Sequence, residues 1–441
     1  MEPLTKLLNS SARLGRFDLH SRCVDPLLTH LVFADDLIIF SRGNLDSVSA
    51  IMGILDSFAQ WSGLAMNPDK SELYLGGLSD QEANRLSSSM GIRLGKLPMI
   101  YLGLPLSPWK LSKHDFQPLI DRIARRLTCW TSKFLSYAGR IQLISSVIYG
   151  MVNSWSQSFL IPKGVLRIID GLCSKFLWKS STSTRGVARV AWDDVCKPRS
   201  EGGLGIRKLE DFNTVFRLKL VWMLFQESGS LWVAWLWRNF LKRKGYWDTS
   251  HSPRFSWNLR KLLHLKPVVR QFLRCSLGDG KRASFWFDDW IDLGPLIEFV
   301  GEDGPRLLRI PRQARVADVV TDTGWFLPGA RSPRVLEILI RLSTIRVPNP
   351  GNGADKFEWK CGPNTYGNAF PQQQLGSFCA NLPRRSYGIS YLGSEKECLA
   401  VRRRRTFTSS SDVTTASRCG SGLLDSFGTL LQPIFIASWG G

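Results

Sequence analysis

The sequence predicts an α+β protein: small antiparallel hairpins plus a helix come first, mostly helical segments follow, and a disordered tail ends the chain. Short apolar, β-prone runs separated by turn residues occupy the first hundred positions. A helical period covers most of residues 113–179, and periodicity fades after about residue 370. Because 441 residues exceed one typical domain, we expect several structural units.

The first element is a hairpin with acidic residues at its tip. Two apolar runs between Thr29 and Phe40 flank Asp35 and Asp36. Asn44 is then a suitable N-cap for a helix that ends at Gly63. The apolar positions of this helix have helical spacing, which predicts that one face packs on the hairpin: Val48, Ile51, Met52, Leu55 and Phe58.

Two more strand elements and three helices follow. The segment 64–75 predicts a strand, a turn at Asn67–Lys70 and a second strand, and a third strand element is expected at Met99–Leu106. Between Lys113 and Lys179 the breaks at 138–139 and 162–164 leave three helices. The last one carries a predicted apolar stripe formed by Val165, Ile168, Ile169, Leu172 and Phe176. The uncharged stretch 141–162 contains eight polar residues, which favours a buried helix over a membrane span.

The charge balance points to a polyanionic partner. The net charge is +21, and residues 110–179 carry eleven basic residues against three acidic ones. Nucleic acid is the first expectation and an anionic membrane surface the second. The segment 185–300 is rich in tryptophan, and Trp222, Trp232, Trp235 and Trp237 either stack on bases or, as helical spacing favours, belong to the core.

Cysteine usage and the N-terminus indicate the compartment. Nine cysteines lie far apart without a C-x-x-C pair, which suits a reducing environment. Residues 1–30 show no signal-peptide pattern. We therefore expect a nuclear or cytoplasmic protein that is not secreted.

Two interpretations of the adjacent acids Asp35 and Asp36 are open, a metal-binding site and an ordinary turn. Adjacent carboxylates at an apolar hairpin repel each other unless a cation or solvent compensates, and nucleotidyl transfer uses carboxylates to hold Mg²⁺ ions. Alternatively, Asp35 and Asp36 form an ordinary solvated turn. Acid pairs recur at Asp193-Asp194 and Asp288-Asp289, so the pair alone does not decide between these readings.

The surrounding residues resemble a known family. Phe33-Ala-Asp-Asp36, followed by Leu37-Ile-Ile-Phe40, resembles the catalytic hairpin of reverse transcriptases. Five later blocks resemble, in order, parts of plant non-LTR retrotransposon reverse transcriptases: Gly63-Leu-Ala-Met-Asn-Pro-Asp-Lys-Ser71, Ile100-Tyr-Leu-Gly-Leu-Pro105, Trp130-Thr-Ser-Lys-Phe-Leu-Ser-Tyr-Ala-Gly-Arg140, Cys196-Lys-Pro-Arg-Ser-Glu-Gly-Gly-Leu-Gly-Ile206, and Leu277-Gly-Asp-Gly-Lys281 with Phe285-Trp-Phe-Asp-Asp-Trp290.

The resemblance implies the C-terminal part of such an enzyme. It implies a partial polymerase palm (1–110), a helical thumb (111–182) and a mostly helical connecting region (183–368). Residues 369–441 are expected to be a disordered tail, because the resemblance ends there and a frameshift would explain that end. In this tail Arg402–Arg405 would be an exposed basic run able to act as a nuclear-import signal.

The resemblance also implies roles for individual residues. Asp35 and Asp36 would bind Mg²⁺, and Lys70 would donate a proton to pyrophosphate unless it is only a solvated turn lysine. Leu102, Gly103 and Leu104 would form the primer grip, with an ordinary strand as the alternative. The residues expected to contact phosphates without reading bases are Arg122, Arg125, Arg126, Lys133 and Arg140.

Features of the family that we do not find set the functional expectation. A palm needs another metal-binding Asp on an earlier strand, yet Asp18 and Asp25, the only candidates before Asp35, lie outside any apolar strand pattern. No His follows His264, and the late cysteines do not pair as zinc ligands, so no zinc is expected.

We therefore expect a truncated RNA-directed DNA polymerase that is inactive alone. Its partners would be an RNA template and a DNA primer or an RNA–DNA duplex, with no membrane and no obligate protein partner. The alternative is a non-catalytic basic nucleic-acid-binding protein or a functionless remnant.

Overall fold

The protein combines helices with small sheets, as the α+β prediction requires. The computed structural model describes residues 1–107, 109–131, 135–178, 190–226, 229–321, 324–327, 329, 332–360, 366–367 and 434–439. None of the helices in these ranges has the length and apolar character needed to cross a bilayer.

Sixteen α-helices lie within the described ranges. They are α1 Glu2–Arg13, α2 Leu45–Ser62, α3 Asp80–Met90, α4 Gln117–Thr131, α5 Tyr137–Leu143, α6 Tyr149–Ser158, α7 Lys163–Trp178, α8 Trp192–Val195, α9 Leu209–Phe225, α10 Leu231–Leu236, α11 Gly245–Asp248, α12 Trp257–Leu263, α13 Lys266–Val269, α14 Leu296–Val300, α15 Gly304–Leu307 and α16 Pro333–Thr344. A π-helical turn, Ile144–Ile148, joins α5 to α6.

Twelve strands lie within the same ranges. They are β1 His30–Phe33, β2 Asp36–Phe40, β3 Met66–Tyr74, β4 Arg93–Leu94, β5 Met99–Tyr101, β6 Leu104–Leu106, β7 Leu273–Ser276, β8 Val320–Thr321, β9 Gly324–Trp325, β10 Lys356–Lys360, β11 Tyr366–Gly367 and β12 Ile434–Trp439. The largest sheet has the order β1-β2-β12-β3-β4, and we call it the N-terminal sheet.

The predicted hairpin and helix are confirmed. β1 and β2 pair antiparallel, and Phe33 lies opposite Asp36. The side chain of Asn44 accepts a hydrogen bond from the backbone N–H of Ser47 and so caps α2, which ends at Gly63 with φ of +73°. The buried face of α2 packs against Leu37 and Ile39 through residues that include Ile51, Leu55 and Phe58.

The topology around α2 leaves a strand position inside the sheet. β12 runs antiparallel to both β2 and β3, so β2 and β3 are parallel to each other and connected by α2. This is a split βαβ unit, with one strand inserted between its two parallel strands. The inserted strand comes from the end of the chain.

That strand differs from the prediction of a wholly disordered tail. Residues 434–439 form a strand, and the segment Ile434-Phe-Ile-Ala-Ser-Trp439 is apolar at every position except Ser438, a composition that suits an internal strand. Such a run is short and does not alternate, so period-based analysis passes over it. The remainder of the predicted tail lies outside the described residues.

The element predicted at 64–75 also differs. A strand, turn and strand were expected, but β3 is one strand in which the ladder to β12 jumps from Glu72 to Asn67. The side chain of Asn67 accepts hydrogen bonds from the backbone N–H groups of Asp69 and Lys70. The predicted turn chemistry is therefore present, but it produces a bulge within a strand instead of reversing the chain.

The helical segment contains three helical units, as predicted, formed by α4, by α5 with α6, and by α7. The break predicted at 138–139 is wrong, because these residues lie in the first turn of α5, which Ser136 caps. One residue of the predicted stripe on α7 is wrong, because Ile168 is 44% exposed. The buried residues of α7 include Leu166 instead, so the stripe is rotated by part of a turn.

A contiguous apolar core joins the N-terminal sheet to the rest of the described chain. Ile38 and Phe40 on one face of the sheet belong to the same cluster as the buried residues of α4 to α7 and of the tryptophan-rich segment. Trp222, Trp232 and Trp235 are buried in it, as core residues. The indole N–H of Trp235 donates to the carbonyl of Arg22 and links two segments far apart in sequence.

Candidate functional site

The acid pair lies at the tip of the β1–β2 hairpin. Asp35 is exposed in the turn, and Asp36 is half-buried as the first residue of β2. Ala34, which precedes them, has φ of +52°, a left-handed conformation that is unfavourable for a residue with a side chain. Burial raises the pKa of Asp36, and the neighbouring negative charge of Asp35 raises it further. The tip therefore concentrates negative charge that a cation would relieve.

A second hairpin lies beside these acids. β5 and β6 pair antiparallel, and Leu102 and Gly103 form their connection with φ of +51° and +78°. Two successive positive φ values are typical of a two-residue hairpin turn. Leu102 and Gly103 thus lie in a turn, and Leu104 begins β6, so the alternative of an ordinary strand through all three positions is wrong.

The buried phenol of Tyr101 connects the two hairpins electrostatically. Its pKa is raised to about 12, mainly by burial and also by the negative charge of Asp36. The strand that leads into the predicted primer-grip segment therefore lies within electrostatic range of Asp36, and Tyr101 belongs to the same apolar cluster as Phe40 of β2.

Lys70 lies in the bulge of β3 and is exposed. Asn67, at the start of this bulge, is in register with Ser438 of β12, and Ser438 is in register with Asp36. The bulge is therefore at the same end of the sheet as the acid pair. Among the described contacts, Lys70 forms no ion pair with Asp35 or Asp36.

The residues at the tip do not fit a two-metal centre. Within the described ranges no three His, Cys, Asp or Glu side chains gather as a metal-binding group. Asp18 accepts a hydrogen bond from the side chain of Asn44, and Asp25 pairs with Arg238. Neither of these two acids therefore complements the pair, and the register neighbour of Asp36 on β12 is a serine.

The predicted phosphate-binding residues separate into three groups. Arg122, Arg125 and Arg126 are all exposed on α4, on the side opposite its buried apolar residues. Arg140 is half-buried, and its guanidinium Nη1 donates to the carbonyl of Leu177 at 3.4 Å, near the C-terminal end of α7. Lys133 lies outside the described residues. The arginine face of α4 (Arg122, Arg125 and Arg126) is therefore the part that remains open to a polyanion.

A second basic surface was missed by the sequence analysis. It is a pocket of about 550 Å³ lined by six cationic residues and one acid, Asp288, with aromatic walls that include Tyr246 and Trp247. The six cationic residues are Lys242, Arg243, Lys244, Lys281, Arg282 and Arg315. They come from three separate segments, so only the run 242–244 could have signalled the pocket.

The glycine motif beside this pocket binds an internal carboxylate. The side chain of Asp355, which is 1% exposed, accepts hydrogen bonds from the backbone N–H groups of Gly278, Gly280, Arg282 and Ala283 at 2.8–3.0 Å. Burial would raise the pKa of Asp355, but the four backbone N–H groups outweigh that effect and lower it. The backbone N–H groups of residues 278–283 therefore form an anion-binding nest that is already occupied by a carboxylate of the same chain.

Asp288 in the motif Phe285-Trp-Phe-Asp-Asp-Trp290 is also structural. Asp288 is buried and accepts hydrogen bonds from the indole N–H of Trp247 and the backbone N–H of Ser284. Its pKa is raised to about 6 by burial.

The sequence is similar to two known plant proteins. No protein-family model matches the sequence. It is 31% identical over 205 residues to an Arabidopsis thaliana protein named "Putative ribonuclease H protein", a match that covers 46% of this chain and 33% of that protein. It is also 26% identical over 134 residues to an "Uncharacterized mitochondrial protein" of the same plant, covering 30% of this chain and 87% of that one. The chain thus spans about a third of the first relative's length.

Proposed function

We propose that the chain is the C-terminal part of a retrotransposon reverse transcriptase, one that binds nucleic acid but does not polymerise DNA alone. The observation that supports this proposal is that β2, which begins at Asp36, shares an apolar cluster with the β5–β6 hairpin, through Ile38 and Phe40 on one side and Met99, Tyr101 and Leu106 on the other. The plant relatives support a retroelement origin. On this proposal the N-terminal sheet is the palm remnant, α4 to α7 form the thumb, and residues 183–368 are the connecting region.

The ancestral reaction would be RNA-templated DNA synthesis with Mg²⁺ and dNTPs. In that reaction the arginine face of α4 would neutralise duplex phosphates without reading the sequence, because guanidinium groups contact phosphates regardless of the bases. Lys70 would lie near the triphosphate, on the same end of the sheet as Asp36. The protein would act in the nucleus or cytoplasm.

The incomplete acid set supports inactivity. Within the described ranges no third carboxylate joins the two at this turn, and two carboxylates on one turn hold two divalent ions poorly. A non-catalytic nucleic-acid-binding protein is the second candidate, and the arginine face and the basic pocket favour it over a remnant without function.

The experiment combines binding with two enzymatic assays. The purified chain is tested for primer extension on an RNA template and for cleavage of the RNA strand of an RNA–DNA hybrid, both with Mg²⁺, using Asp35→Asn/Asp36→Asn as the control. We expect neither activity, but salt-sensitive binding of the hybrid. Extension above the control would contradict the proposed inactivity. Absence of binding at low salt would contradict nucleic-acid binding and leave the remnant.

A further inference from the structure

The N-terminal sheet contains an internal position that its own early segment does not fill. β2 and β3 are connected directly through α2, yet they are not hydrogen-bonded neighbours. Adjacent strands of a sheet lie about 4.8 Å apart. Because one strand lies between them, β2 and β3 are separated by about two such spacings. The gap is therefore the size of one extended peptide.

The edge of β2 that faces this gap requires a partner. With β12 in place, Leu37, Ile38, Ile39 and Phe40 are at most 1% exposed. Helices α1 and α2 cover one face of the sheet and the main core covers the other, so both faces beside this edge are apolar. Water cannot easily replace a strand along such an edge, and buried backbone N–H and C=O groups are almost always paired. A strand must occupy the gap for the sheet to be stable.

We infer that the gap between β2 and β3 is a strand-acceptor site for an uncharged, apolar, extended peptide, and that residues 434–439 are its built-in occupant. A peptide with the sequence of that segment, supplied from outside, takes the same place when the built-in strand is weakened. This inference does not rest on the proposed function, because it concerns the sheet alone.

The register defines the site. Ile434, Phe435 and Ile436 lie opposite Phe40, Ile39 and Ile38 on β2, and opposite Tyr74, Leu73 and Glu72 on β3. The occupant is thus paired on both sides over the buried half of the site. At the other end Ser438 lies opposite both Asp36 and Asn67, which places the occupant's last residues beside the acid tip.

Strand exchange tests the acceptor. In the full chain, Ile436→Pro removes a backbone N–H from the centre of the ladder. We expect amide exchange at Leu37–Phe40 to become at least tenfold faster, while α4 keeps its protection. A soluble peptide of residues 432–439 should restore that protection, the same peptide carrying Pro at position 436 should not, and unmodified chain should bind neither. Unchanged protection in the variant, or failure of the matched peptide to restore it, would overturn the inference.

A second variant tests the register without weakening the ladder. Directly opposite Cβ atoms in an antiparallel pair are about 4.5–5.5 Å apart, so Ser438→Asp would bring a carboxylate within reach of an ion held by Asp36. We expect Mn²⁺, followed by electron paramagnetic resonance, to bind at least tenfold more tightly to this variant than to the unmodified chain or to Ser438→Asn. Adding Asp36→Asn should abolish the gain. Equal Mn²⁺ affinity in all four proteins would overturn the register on which the inference depends, even if Ile436→Pro does not fold.

Discussion

A single carboxylate joins the loop at residues 278–283 to a loop more than 70 positions later in the chain. Asp355 receives two backbone N–H groups on each oxygen, Gly278 and Gly280 on Oδ1 and Arg282 and Ala283 on Oδ2. A Cβ added at Gly278 would lie 2.3 Å from the carbonyl oxygen of Gly353, so only glycine permits this approach of the two loops. The carboxylate and the glycine therefore depend on each other.

Replacing this carboxylate should weaken the fold without touching any exposed surface. In Asp355→Asn one carboxylate oxygen is replaced by an NH₂ group, which cannot accept hydrogen bonds. The two buried backbone N–H groups that donated to that oxygen are left unpaired. We expect a loss of about 2–4 kcal/mol in the free energy of unfolding, measured in urea. Asp303→Asn, at an exposed residue without a side-chain cap, is the matched control and should change stability by less than about 0.5 kcal/mol.

The same residue sets a pH dependence. Because the folded-state pKa of Asp355 is lowered below its ordinary 3.8, its stabilising effect is complete above that value and is lost as the pH falls through the folded-state pKa. The stability difference between the unmodified chain and Asp355→Asn should therefore be constant near neutral pH and shrink below about pH 4. A difference that grows on acidification would show that the carboxylate is not held ionised by the loop.

At the scale of elements, replacing glycine by alanine should have opposite effects on stability at two positions. Gly103 is in the β5–β6 turn with φ of +78°, and Gly53 is in the interior of α2; both have open space where a Cβ would be placed. Gly103→Ala should destabilise by about 1 kcal/mol through backbone strain alone, whereas Gly53→Ala should stabilise by about 0.5–1 kcal/mol. Thermal unfolding of both variants checks this. Equal signs would contradict the turn assigned to Leu102 and Gly103.

The arginine face of α4 gives the element-scale prediction for binding. Changing Arg122, Arg125 and Arg126 to Ala removes three exposed cations from one helix and leaves its buried side intact. Affinity for an RNA–DNA duplex should fall for all sequences alike, and the slope of log K against log salt should become shallower by up to about 3, at roughly 0.9 per lost phosphate contact.

The control for that experiment removes the same charge elsewhere. Arg13, Arg16 and Arg306 are exposed and lie outside α4. Their joint replacement by Ala should leave the slope nearly unchanged. An equal effect of both triple variants would mean that net charge, and not the face of α4, determines binding.

Local signals explain which elements the sequence could predict. The N-cap at Asn44, the C-cap at Gly63 and the period of α4 to α7 are each decided within a few residues, and the structure has them. The insertion of β12 between β2 and β3 depends on a gap formed almost 400 positions earlier, and the basic pocket joins three distant segments. The apolar segment 434–439 and the basic run 242–244 are visible in the sequence, but neither pattern says which distant segments it will meet. The bulge of β3 shows the intermediate case, where local turn chemistry is right but the neighbouring strand decides its outcome.

At the scale of the whole molecule, one apolar core extends across the segment boundaries predicted near residues 110 and 182. Residues on both sides of positions 110 and 182 share one apolar cluster. Polar contacts cross the same boundaries: Trp235 donates to the carbonyl of Arg22, and Arg238 pairs with Asp25. Separate domains usually meet through small, polar contacts, whereas a shared core couples the segments energetically.

Coupled unfolding is the consequence of that shared core. Trp286 lies in the tryptophan-rich segment, where it is fully buried and its indole N–H donates to the carbonyl of Pro311. Trp286→Phe removes this hydrogen bond far from the N-terminal sheet and should destabilise by about 1–2 kcal/mol. If the core unfolds as one cooperative unit, the lower free energy of unfolding must also speed exchange at distant amides, because all parts of the core open together. In denaturant we therefore expect fluorescence of the tryptophans and amide exchange of Leu37–Phe40 to shift to the same extent. A fluorescence shift with unchanged exchange in β2 would show that the sheet unfolds independently. The segments on the two sides of residue 110 would then be separate units of unfolding.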